Sequence, residues 1–183
     1  MKTITSFRLV HVAALTFGLL TCGAMNVQAD NQNHGARGKT AVTGGFAWTI
    51  VPSNLTPQFV FVGTDSELHI RHLPLVGPIQ IVGNGINIEG KATADMNGEL
   101  DATLTGVIWG EATITAKVNG VKTIIFEGRF HADTVGLISN GKVTLRGRGP
   151  YEGRTLEFDF EELGPEHTDN YTLKGALAPA PRR

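Results

Sequence analysis

Two histidines stand three positions apart in His69-Ile70-Arg71-His72, and paired imidazoles are a usual beginning of a zinc site. On a strand, residues three apart point to opposite faces, so His69 and His72 cannot share an ion unless a bulge turns one of them. His131 and Asp133 are two apart and do share a face. An imidazole beside a carboxylate is the makings of a general base, although with Trp109 expected across from His131 the group reads first as a surface cross-strand cluster. Glu157, Asp159, Glu161 and Glu162 form an acidic run that would attract Ca²⁺. Alternate carboxylates on a strand stand about 7 Å apart, and basic residues are expected opposite, so a solvated face is the expectation. No catalytic residue, metal ligand or cofactor motif is assigned. His72, Tyr171, Trp109 and His131 remain as residues expected at a barrel mouth, where they would touch a ligand.

These side chains must be held by strands, because period-two alternation dominates the chain. Ile108–Val118 alternates Ile108, Gly110, Ala112, Ile114, Ala116 and Val118 with Trp109, Glu111, Thr113, Thr115 and Lys117. Similar patterns cover Phe46–Ile50, Leu68–His72, Ile86–Asp95 and Leu100–Gly106, then the segments around Phe126, Leu145, Phe158 and Leu173, and short strand candidates follow Pro57 at Gln58–Val62 and Pro78 at Ile79–Val82. No stretch keeps helical spacing. Asn97-Gly98, Asn119-Gly120 and Asn140-Gly141 supply residues that accept positive φ and read as hairpin turns. At Asn119-Gly120 the apolar pattern favours a bulged register that pairs Val118 with Lys122, Ala116 with Ile124, Ile114 with Phe126, Glu111 with Arg129 and Trp109 with His131. The same shift at Asn97-Gly98 pairs Ala94 with Ala102. In the last hairpin, pairing Gly149 with Arg154 sets Arg146 opposite Glu157 and Lys142 opposite Glu161. Gly106–Gly110 reads as either a connection or a bend in one long strand. From Ile86 to Leu177 only Lys122 and Tyr171 interrupt the apolar inward set.

Eight to ten short strands of this kind make an all-β antiparallel barrel or a sandwich. Inward faces rich in Gly and Ala favour the barrel, with either an apolar cavity or a packed core. An outer-membrane barrel would need an apolar outer face and aromatic girdles, and aromatics are only 7% of the chain.

The ends read differently. Lys2 and Arg8, an apolar run over Leu9–Leu20 and the small-residue site Val27-Gln28-Ala29 make residues 1–29 a secretory signal peptide. Cys22, the only cysteine, follows Leu19-Leu20-Thr21, a lipoprotein-like sequence with Thr where a smaller residue is expected; lipidation there would anchor the protein, and otherwise Cys22 leaves with the peptide. Residues 30–43 read as a flexible leader, 44–177 as the folded domain and 178–183 as a disordered tail. Beyond the signal, fourteen basic residues face seventeen acidic ones, a balance unsuited to nucleic acid. Asn54-Leu55-Thr56 and Asn170-Tyr171-Thr172 fit the glycosylation sequon.

The hairpin Gly147-Arg148-Gly149-Pro150-Tyr151-Glu152-Gly153 between two strands resembles the glycine-rich signature of small secreted barrels of the allene oxide cyclase and dirigent type. The likeness covers Val143 to Phe160 and departs at Arg154-Thr155-Leu156. It implies an eight-stranded, often oligomeric barrel with an apolar lumen, and no catalytic residue of those families maps onto this chain. The sequence thus points to an exported, periplasmic or secreted, non-enzymatic barrel binding a small apolar ligand or a protein partner. A cofactor-free cyclase or isomerase working in the lumen and a cell-envelope structural protein are the other readings.

Overall fold

The computed structural model describes residues 38–51, 58–62, 67–164 and 167–181. The signal segment, Cys22, the sequon at Asn54 and most of the leader lie outside them. Ten strands follow in order: β1 (Thr40–Ala47), β2 (Thr49–Ile50), β3 (Gln58–Val62), β4 (Glu67–Gly83), β5 (Ile86–Leu100), β6 (Gly106–Val118), β7 (Val121–Val135), β8 (Ile138–Gly147), β9 (Arg154–Glu162) and β10 (Asn170–Pro179). Every pairing is antiparallel, in the order β1-β10-β9-β8-β7-β6-β5-β4, and β4 returns to β1 through Val42↔Gly83 to Phe46↔Ile79. The result is a closed eight-stranded barrel, with β2 and β3 as further partners of β4. Thr40–Thr43, read as leader, and Ala178-Pro179, read as tail, belong to β1 and β10.

β4 joins the two segments Leu68–His72 and Ile79–Val82 into one strand that runs through Pro74 and Pro78. Along one side it pairs β3 at residues 67–71, β2 at Leu75 and Val76, and β1 from Ile79. Both prolines fall in the intervals between these partners, where the missing N–H leaves no neighbour unserved. A bulge between Ile70 and Leu73, with His72 at φ 55°, adjusts the register against β5.

Of the three expected Asn-Gly turns, only Asn119-Gly120 turns the chain, with φ of 50° and 81°. It is a two-residue loop pairing Val118 with Val121 and Lys117 with Lys122. The bulge expected at the turn sits further along, between Ile114 and Thr115 on β6 and opposite Ile124–Phe126. Ile125 (1% exposed) and Phe126 (0%) are therefore buried in succession, and Ile124, expected inside, is 45% exposed. Lys122 also faces out. Beyond the bulge the expected pairs Ile114↔Phe126, Glu111↔Arg129 and Trp109↔His131 are present.

Asn97-Gly98 and Asn140-Gly141 lie within β5 and β8. Their turns are made by Asp101–Thr105 and by Gly136-Leu137, the first closed by Asp101 Oδ1 accepting the amides of Thr103 and Thr105. The donors around Asp101 hold its carboxyl below the usual range, Thr103 first. Ala94 consequently pairs with Ala112, Ala102 is in the loop, and Gly106–Gly110 opens β6. The last hairpin is longer than expected: Arg146 faces Thr155, Lys142 faces Asp159 and Thr144 faces Glu157. Arg148 instead pairs with Glu127 on β7. Inward alternation survives this two-residue slip, because an even shift preserves the face.

Close strand curvature needs glycine at particular points. A Cβ on Gly175 would lie 2.0 Å from the Glu157 carbonyl oxygen, and one on Gly110 would lie 2.0 Å from that of Asp95. At these positions neighbouring backbones approach too closely for any side chain.

Candidate functional site

Eight strands enclose a lumen that side chains can just fill or that can hold one small ligand, and here the two ends differ. At the end carrying the Asn84-Gly85 and Asn119-Gly120 turns, Val42, Ile81, Phe126 and Leu156 are all essentially inaccessible, and Tyr151 packs tilted against Phe126 with ring centroids 4.8 Å apart. That end is plugged. Toward the other end the lumen opens into a cavity of about 300 Å³. Phe46, Trp48, Leu73, Met96, Phe130 and Phe160 are among its walls, with Phe46 stacked on Tyr171 at 4.8 Å and edge-on to Trp48 at 5.3 Å.

The cavity's polar lining comes from the strand ends and turns at the open end. Alternation along β9 runs Leu156, Phe158, Phe160 and then Glu162, so the carboxylate that ends the inward series is directed inside. The expectation that no carboxylate points inward is therefore corrected: Glu162 belongs to the lumen face, its side chain is fully buried, and it is no part of a solvated acidic run. Glu162 Oε2 accepts the Ser139 amide at 3.0 Å, and Oε1 accepts the amides of Thr168 at 2.6 Å and Asp169 at 3.0 Å. His167 Nδ1 lies 2.8 Å from the same Oε1, and its Nε2 lies 3.3 Å from Asp169 Oδ1. One buried carboxylate thus ties the β9–β10 connection to β8. The Trp48 amide donates to the Asp169 carbonyl at 2.9 Å, which ties the same connection to the exit of β1.

Tyr171, opposite Glu162 on β10, faces the lumen beside Ser139, and the hydroxyls of Ser139 and Thr134 lie 3.0 Å apart. Burial raises the Tyr171 pKa strongly and the charges of Glu162 and Asp169 raise it further; Ser139 acts in the opposite direction. The phenol is therefore a neutral donor at physiological pH. Burial likewise raises the Asp169 carboxyl, with His167 opposing and Glu162 adding to the rise.

The four residues expected at the mouth separate. Tyr171 is in the lumen. His72, Trp109 and His131 come together on the outer wall, in a shallow groove shared with Asp95, Glu111 and Arg129. His72 sits in the β4 bulge with Nδ1 3.0 Å from Asp95 Oδ2, and the Arg71 guanidinium lies 5.8 Å from the centre of the Trp109 ring. His72 and its partner are well exposed, which leaves this group in water. No set of three or more metal-ligating side chains converges among the described residues. Glu162, Ser139, Thr134, His167 and Asp169 are the site residues that sequence reasoning missed. Continuing the β9 alternation by one step finds Glu162; nothing local marks the others.

The outer wall carries Glu89, Lys91, Asp95, Glu111, Arg129 and Lys142, while the apolar set faces the lumen. A lipid-embedded barrel has the opposite arrangement.

No family model matches the chain, and neither a curated protein nor a solved structure shows significant similarity to it.

Proposed function

We propose that this protein is an exported binding protein that holds a small, largely apolar molecule in its lumen. The apolar cavity carries this reading. The barrel is packed at one end and hollow at the other, with aromatic and aliphatic walls and, Thr113 apart, its polar groups at the opening. Pockets of this construction, apolar with a few placed polar groups, are the usual form of small-molecule sites. The test is native mass spectrometry of protein purified from its own host, followed by solvent extraction. A bound apolar molecule is expected, and Ala112→Phe, which places a ring in the cavity, should abolish its retention while the barrel still melts cooperatively. Protein that is empty as isolated and takes up no apolar compound offered to it would refute the reading.

One observation favours a second reading, a cofactor-free isomerase or cyclase. Asp169, with its carboxyl raised by burial, and the neutral phenol of Tyr171 line the same cavity. A base and a hydrogen-bond donor beside an apolar pocket are what proton transfer next to a carbonyl requires. Chemical change in the extracted molecule during incubation with the protein, lost in Tyr171→Phe, is the outcome that would select this reading.

A further inference from the structure

The lumen's charge distribution also restricts the polar end of what it holds. We propose that the ligand is an apolar molecule whose single polar end is a hydrogen-bond donor, an alcohol or an amine, and that the site rejects a carboxylate of the same shape. The inference rests on the binding reading above and adds to it the class of ligand.

The Thr113 hydroxyl is engaged by Thr93 at 2.6 Å, so the walls leave one place for a polar group, the opening where Tyr171, Ser139, Thr134, His167 and Asp169 meet the cavity. Their charges are unbalanced. Glu162 and Asp169 bring two carboxylates, His167 brings at most one positive charge, and no Lys or Arg among the described residues lines the cavity. An anionic end group would leave water for an apolar cavity and meet an opening already negative, where the Asp169 carboxylate is about half exposed, so its desolvation and a partly screened like-charge repulsion both oppose it. An alcohol can donate to Asp169 and accept from the Tyr171 phenol. An ammonium would offset the excess negative charge. Glu162 is not available for this role, because Ser139, Thr168, Asp169 and His167 already surround its oxygens. Asp169 is the carboxylate left with a share of solvent and cavity.

At roughly 30 Å³ for each water-sized group, a cavity of about 300 Å³ has room for a chain or ring system of about ten carbons. Decanol, decylamine and decanoate make a matched set differing only at the polar end. Calorimetric titration at pH 8 should show decanol and decylamine binding and decanoate at least about tenfold weaker, a modest share of the repulsion available between like charges away from bulk water. Asp169→Asn removes one charge and keeps an acceptor. The variant should fold, since Asp169 has φ 56°, a left-handed conformation that Asn also accepts. In Asp169→Asn the disadvantage of decanoate should shrink at least about threefold, with decanol little changed. Decanoate binding within about twofold of decanol, or a gap that Asp169→Asn leaves intact, would overturn the inference while the lumen reading stands. Binding of none of the three would remove the lumen reading, and this one with it.

Discussion

Replacing Glu162 by Gln tests whether a single buried carboxylate fastens the open end of the barrel. The side chain is fully buried, and its two oxygens accept three backbone amides, from Ser139, Thr168 and Asp169, besides facing His167. Glutamine keeps the shape and one acceptor oxygen. Whichever way the amide is turned, its NH₂ group meets either the Ser139 amide or the pair from Thr168 and Asp169, donor against donor. Ser139 is buried, so an unmet amide there costs about 1–3 kcal/mol; the Thr168 and Asp169 amides border solvent and cost about 1 kcal/mol each after partial rehydration. The bond to His167 adds little, because that ring is partly in water. Relief from burying a charge offsets some of this, which leaves a net loss of about 1–2 kcal/mol. With urea m-values of about 1–3 kcal/mol/M for small proteins, the midpoint should fall by about 0.5–1 M. Glu161→Gln, the adjacent exposed residue on the outer face, is the control and should stay within about 0.5 kcal/mol of wild type. Equal unfolding curves for the two variants would refute the account of Glu162 as a fastening.

Three further outcomes are expected. Ile125→Thr should destabilise by about 2 kcal/mol or more through a polar group in the packed end, whereas Ile124→Thr should change stability by less than about 0.5 kcal/mol; urea midpoints that rank the other way would displace the β7 bulge. Gly175→Ala should cost about 3 kcal/mol, because its Cβ would meet the Glu157 carbonyl oxygen at 2.0 Å and Phe158 Cα at 2.5 Å; a variant melting with wild type would mean the strands are less close. Burial raises the pKa of both tyrosines of the chain, Tyr151 and Tyr171. A raised folded-state pKa gives stability that is present below the unfolded value near 10 and lost as pH rises through the folded one. Absorbance titration should therefore show no phenolate until the barrel unfolds in alkali, and a tyrosine ionising with normal pKa in folded protein would contradict that burial.

Alternation by itself determined the class of fold and most inward faces. Ala112, Ile114, Phe126, Leu145, Phe158 and Leu173 are buried as their spacing requires, because a strand offers only two faces and the apolar one must leave water. Even where the register slipped by two, as at Arg146 and Glu157, the same faces stayed inside. Which Asn-Gly pair turns the chain was not local information. Asn97-Gly98 and Asn140-Gly141 accept positive φ as readily as Asn119-Gly120, but extending β5 and β8 through them supplies hydrogen bonds to neighbours on both sides. Leu68–His72 and Ile79–Val82 read as separate strands, and they are one because β1, β2 and β3 divide one side of β4 between them. The site followed the same rule. His72, Trp109 and His131 have the chemistry of a site, yet strand parity and the β4 bulge place them on the wet wall. Thr134, Ser139, Glu162, His167 and Asp169 come from the ends of three strands and one connection, and they meet because β7, β8 and β9 pair in chain order and the β9–β10 connection folds back onto Glu162. Side-chain parity is a property of one strand and is written in its sequence; convergence at the open end depends on which strands pair and in what register, which no single strand contains.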